Sequence, residues 1–158
     1  MIKIKKILCP VDFLPGSDHA VTYAAGLAAS VHKAKIYLVH AVAPMVPTPY
    51  ADSISTVDIT ESLERAALRE MTRLVAKVKA RGVNAQGTVV HGQVKDVIER
   101  AISDQKPDLI TMGTHNRSTL ERWFMGSVTE WLIRHSPVPV LTVAPKSAKK
   151  ARMTKRAA

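Results

Sequence analysis

Five short apolar runs alternate with four stretches of helical periodicity along this chain, and few architectures accept that order. The first run, Ile4 to Val11, carries Ile7, Leu8, Cys9 and Val11 with hardly a polar interruption. Runs of this kind suit strands covered on both faces, the usual situation in a parallel sheet. Pro15-Gly16 breaks the run, and Ser17 or Asp18 can cap a helix that continues to about Lys33. Its apolar side includes Val21, Ala24, Ala25, Leu27, Ala28 and Val31, mostly small residues that let a helix lie close to a sheet. Lys35 to Val42 reads as a second strand. Pro44, Pro47 and Pro49 then place a long loop over residues 43–57, and loops of that length are often functional in compact domains. Asp58-Ile59-Thr60-Glu61 has the form of a capping box, opening a helix marked by Leu63, Ala67, Met71, Leu74 and Val78 and stopped by Gly82.

The second half repeats the alternation. Val83 to Val90 is a third strand, diluted by Asn84, Gln86 and Gly87 and so expected nearer an edge. After Gly92 comes a short helix with Val94, Val97, Ile98, Ala101 and Ile102 on one face, then a fourth strand from Leu109 to Met112. Gly126-Ser127 opens a last helix, Val128 to about His135, and Pro137 and Pro139 lead into a final strand, Val138 to Val143. Strict alternation implies one α/β domain over residues 1–145, an open doubly wound, Rossmann-like parallel sheet. The expected strand order is 3-2-1-4-5, with helices on both faces. In such sheets ligands bind outside the carboxyl ends of the strands where the order reverses, here just after strands one and four.

Composition narrows the setting. At 158 residues, with 46% apolar and 23% charged side chains, the chain has the makeup of a globular domain and not of a disordered one. No apolar run approaches the roughly 20 residues that span a bilayer, and the alternating start Met1-Ile-Lys-Ile-Lys-Lys lacks the pattern of a signal peptide. A single cysteine, Cys9, has no internal disulfide partner and reads as a small buried side chain; the expected setting is cytoplasmic, with no membrane association. Six cations and no acid occupy residues 146–158, leaving 17 basic and 13 acidic residues in the domain. A tail of this kind is expected to aid solubility, with weak electrostatic nucleic-acid binding as a lesser alternative.

The residues able to do chemistry cluster after strand four. Gly113 follows the apolar strand directly, so the backbone there is expected to approach a ligand closely. Gly126-Ser127 opens a helix, whose free N–H groups and positive dipole end favour anions, and Ser127 can cap that helix or donate to a phosphate. Arg117 adds positive charge between them, and His115 lies in the same loop. His40, His91 and His115 all fall near strand carboxyl ends, where a metal site is conceivable but loop histidines without metal are the simpler reading. No nucleophile–base–orienter set, P-loop or dinucleotide fingerprint is present, so fast catalysis is not expected.

Several segments together resemble the universal stress protein family over almost the whole folded length. They are Lys6-Ile-Leu-Cys-Pro10-Val-Asp12, Val39-His40-Ala-Val, Val90-His-Gly92, Asp108-Leu-Ile-Thr-Met-Gly113-Thr-His-Asn116, Gly126-Ser-Val-Thr-Glu130 and Pro137-Val-Pro-Val-Leu-Thr-Val143. Nucleotide-binding members carry Gly, two residues, Gly, nine residues and Gly-Ser or Gly-Thr after strand four. Gly113 and Gly126-Ser127 keep that spacing, while Asn116 replaces the second glycine. Asn tolerates positive φ better than other side-chain-bearing residues, and its amide can either crowd a phosphate or hydrogen-bond to it. The resemblance implies ATP, or AMP or ADP, as a regulatory ligand, with or without Mg²⁺, although no carboxylate cluster is built to hold the cation. It places Pro10, Val11, Asp12, Ala41 and Met112 at the adenosine end, and Gly113, Asn116, Gly126, Ser127, Val128 and Thr129 at the phosphate end. It also implies a homodimer through Val138–Val143, a short apolar edge that would otherwise invite uncontrolled pairing. The rival reading is a nucleotide-free dimeric protein–protein interaction module of the same fold.

Overall fold

The computed structural model describes residues 3–31, 33–44, 56–114 and 126–144. Most of the 43–57 loop, residues 115–117 and the basic tail lie outside the described residues. The elements in chain order are β1 (Lys6–Pro10), α1 (Pro15–Ser30), β2 (Lys35–Val42), α2 (Thr56–Lys79) and β3 (Ala85–His91), followed by α3 (Val94–Gln105), β4 (Leu109–Gly113), α4 (Ser127–His135) and β5 (Val140–Val143). All paired strands are parallel, as the alternation implies, and stand in the expected order β3-β2-β1-β4-β5.

The near-continuous apolar runs are explained by the two cores they serve. Successive strand residues point to opposite faces. Ile7, Cys9, Ile36, Leu38 and Ala85 meet α1 and α2 on one side through Ala24, Ala28, Met71, Leu74 and Val78. Leu8, Val39, Ile110 and Met112 meet α3 and α4 on the other through Val97, Ile98 and Leu132. β3, the diluted strand, is an edge, and Gly87 leaves room there for Met71 to lie directly on the sheet.

Element ends depart from the sequence expectations for local reasons. Neither Ser17 nor Asp18 caps α1: Leu14 is the N-cap and Pro15 starts the helix, because proline's fixed φ and missing N–H suit the first helical position. Ser17 is buried instead, its hydroxyl donating to the Leu14 carbonyl at 3.0 Å. α1 ends at Ser30, short of Lys33, which sits in the left-handed region with φ 54°. α2 begins at Thr56, so Asp58 lies inside the helix and the capping-box reading is corrected. β5 is shorter than Val138–Val143, although the Pro139 carbonyl already accepts the Ile110 N–H at 3.0 Å. No helix among the described residues is long and apolar enough to cross a membrane.

Cys9 is fully buried, and burial pushes its thiol up to about 12. The nucleophile is the thiolate, so a thiol held protonated under a sealed core is inert. Iodoacetamide at pH 8 should leave the native protein unmodified and alkylate one site per chain after denaturation. Rapid labelling of the native chain, read by intact mass, would contradict this packing.

Candidate functional site

β1 and β4 are neighbours whose crossovers depart in opposite directions, so a crevice must open beyond their carboxyl ends. From Pro10 the chain turns through Val11, Asp12 and Phe13 into α1. The Leu14 N–H donates to Asp12 Oδ1 at 2.9 Å, an Asx turn that fixes the corner. Phe13 has φ 60°, a conformation that costs a bulky residue on the order of 1–3 kcal/mol and needs support. The support is His40 of β2. Its ring lies 4.4 Å from the Phe13 ring, and its Nδ1–H donates to the Val11 carbonyl at 2.8 Å.

Gly113 lines the cleft, and it also has a packing role that its position does not announce. A Cβ there would fall 2.4 Å from the Gly16 carbonyl oxygen and 2.5 Å from its carbon. The close approach it permits is therefore between β4 and the first turn of α1. That contact brings Pro15, Gly16 and Ser17 to the mouth of the crevice.

The result is a cleft of about 370 Å³, within the usual size of small-molecule sites. Its walls are Pro10, Val11 and Asp12 from the end of β1, Leu14 to Ser17 from the start of α1, and Met112, Gly113 and Thr114 from the end of β4. Val94 and Ile98 of α3 and Val128 of α4 complete it. Three helices thus aim their amino ends at one space, and none has a side-chain cap: the N-cap residues are Leu14, Gln93 and Gly126. Uncapped helix starts present unpartnered amide hydrogens and the positive end of the dipole.

Of the residues expected at the site, Pro10, Val11, Asp12, Met112, Gly113 and Val128 meet in this cleft. Gly126 and Ser127 stand at the start of α4 beside Val128 but do not line it, and Thr129 is buried beneath. Ala41 packs into the α3–α4 core from β2, one strand away. His115, Asn116 and Arg117 lie outside the described residues. Sequence reasoning missed Leu14 to Ser17, Val94, Ile98 and Thr114; the Pro-Gly break after strand one and the helix start after Gly92 were the available signals. His40 and His91 serve separate purposes, since His91 Nε2 pairs with Glu64 of α2 at 2.9 Å while His40 holds the β1–α1 turn. Among the described residues no group of three His, Cys, Asp or Glu side chains is placed to hold a metal ion.

A five-stranded doubly wound sheet with its cleft at the reversal of strand order defines a Rossmann-like α/β protein. Residues 3–144 match the sequence profile of the universal stress protein family. The chain belongs to that family. A universal stress protein of Thermus aquaticus is 32% identical over 141 residues, covering 88% of this chain and 98% of the relative. A crystal structure of a family member from Burkholderia pseudomallei superposes with a TM-score of 0.72 at 29% identity, covering 90% of this chain and 96% of that one. Two more distant structures share the fold. An Arabidopsis thaliana family protein with AMP bound has 19% identity and a TM-score of 0.67, covering 92% and 94% of the two chains. A universal stress protein in complex with cAMP has 23% identity and a TM-score of 0.69, covering 90% and 99%.

Proposed function

We propose that this protein binds an adenine nucleotide, ATP or a related mono- or diphosphate, as a regulatory ligand in the cleft between β1 and β4. The observation that carries this reading is the convergence of three uncapped helix starts on one largely apolar crevice. Met112, Val94, Ile98 and Val128 offer apolar surface to a purine, and the amide ends of α1 and α4 offer partners to phosphate oxygens. The AMP and cAMP complexes of proteins with this fold support the choice of ligand and do not favour the nucleotide-free alternative. In this reading Gly126 and Ser127 hold the phosphate end, and Asn116 and Arg117 are proposed to contribute to it. The ligand acts as a signal more than a substrate. The chain also pairs with a second copy along β5, an edge strand whose Val140 and Leu141 are only half-buried, in a cytoplasmic setting.

A thermal melt tests the ligand directly. A nucleotide at about a hundred times its dissociation constant adds about 2.7 kcal/mol, which for a domain of this size is a rise of roughly 5–10 °C. ATP, ADP and AMP should be compared, each with and without magnesium. Millimolar concentrations of all three leaving the melting temperature unchanged would overturn the proposal.

A further inference from the structure

The end of the sheet opposite the cleft is strongly cationic. Lys5 and Lys6 lead into β1, Lys35 opens β2 after Lys33, Arg81 precedes β3 and Lys106 precedes β4. Strand register puts them side by side: Lys6 is level with Lys35, Ile36 with Ala85, and the Asp108 N–H donates to the Lys6 carbonyl at 2.9 Å. Four adjacent strands at about 4.8 Å spacing therefore carry this row across roughly 15 Å.

Helix dipoles account for Lys33, Arg81 and Lys106, which follow helix carboxyl ends, but not for Lys5, Lys6 and Lys35. None of the six has a carboxylate partner among the described residues. The nearest acid in sequence, Asp108, turns Oδ2 to the backbone N–H groups of Lys5 and Lys6 at 2.8 and 2.9 Å. Lys6 Nζ donates to the Gln105 carbonyl, and Lys35 Nζ donates to Gln86 Oε1 and lies 4.6 Å from the centre of the Tyr37 ring; these partners are all uncharged.

The exposed large apolar residues, Leu14, Tyr23, Leu63, Leu68, Val94 and Ile133, all lie outside these turns. Among the described residues this edge therefore offers no exposed large apolar side chain to a bilayer and no exposed ring on which unstacked bases can lie. We propose that this edge docks the phosphate backbone of a nucleic-acid duplex without regard to sequence.

The test uses the full chain and a fluorescent duplex of about 20 base pairs, followed by anisotropy between about 50 and 200 mM salt. Lys5→Ser, Lys33→Asn, Arg81→Ser and Lys106→Asn are combined; asparagine is chosen where the backbone is left-handed. Each phosphate contact contributes about 0.9 to the slope of log affinity against log salt, so this variant should lose roughly 3–4 from the slope. Affinity should fall by at least about tenfold for any duplex sequence. Replacing the six tail cations by serine should leave the edge's share of the slope in place. If the fourfold variant does not fold, Lys5→Ser with Lys106→Asn should remove roughly half as much slope. A fourfold variant with unchanged slope would overturn the proposal, as would a tail variant that abolishes binding alone. So would binding to phosphatidylserine vesicles without binding to the duplex, or no duplex binding even in the lowest salt.

Discussion

Replacing Ile110 by alanine should lower stability by about 4 kcal/mol and the melting temperature by roughly 8–16 °C. Ile110 is fully buried in β4, where it pairs with Leu8 of β1 on one side and Val140 of β5 on the other. Its side chain belongs to the core that α3 and α4 close, together with Leu8, Val97, Ile98, Met112 and Leu132. Strands fixed by parallel neighbours on both sides cannot collapse into the space left by three carbon atoms, so the cavity persists and the penalty falls in the upper part of the usual range. Urea unfolding with an unchanged slope and a lowered midpoint would show a pure stability loss. A change below about 1 kcal/mol would mean the two faces of the sheet are less tightly sealed than the burial indicates.

Gly113→Ala should be nearly as damaging, costing about 3 kcal/mol, and should also weaken the binding of any ligand in the cleft. The new methyl would press on the Gly16 main chain at 2.4 Å, and a backbone carbonyl inside the first turn of α1 cannot swing aside as a side chain can. Relief requires α1 to lift from β4, carrying Pro15 to Ser17 away from the cleft wall. Gly87→Ala is the control. Its methyl would meet Met71 Sδ and Cγ, part of a side chain with three rotatable bonds, and the stiffer Val75 Cγ2 at 2.8 Å, so with Met71 free to repack the loss should stay at about 1–2 kcal/mol. Equal losses from the two substitutions would show that the β4–α1 contact is softer than its geometry implies.

Much of this architecture was readable because it depends on local repetition. Each strand is short and buried on both faces, so Ile7-Leu8-Cys9 and Leu109-Ile110 announce themselves without knowledge of their neighbours, and the strand order places the cleft. The walls of the cleft were less legible. Leu14 to Ser17 reach it only because two glycines far apart in the chain let β4 and α1 touch, and no local pattern records such a pairing. Val94 and Ile98 looked like an ordinary helix stripe, and they are one, whose first turn happens to face the crevice. His40 invited a metal reading from its position at a strand end. Its actual use, steadying a left-handed phenylalanine one strand away, depends on a register that only the folded sheet defines.

The polypeptide leaves the described fold at Ala144, whose carbonyl receives the Nδ1–H of His19 at 2.9 Å. Because all five strands run the same way, that exit is on the side where the crevice opens, pinned to the very helix that forms one of its walls. Ala144 thus lies at the opposite pole from the row of lysines beneath β1 and β2, and on the side of α1 that walls the cleft.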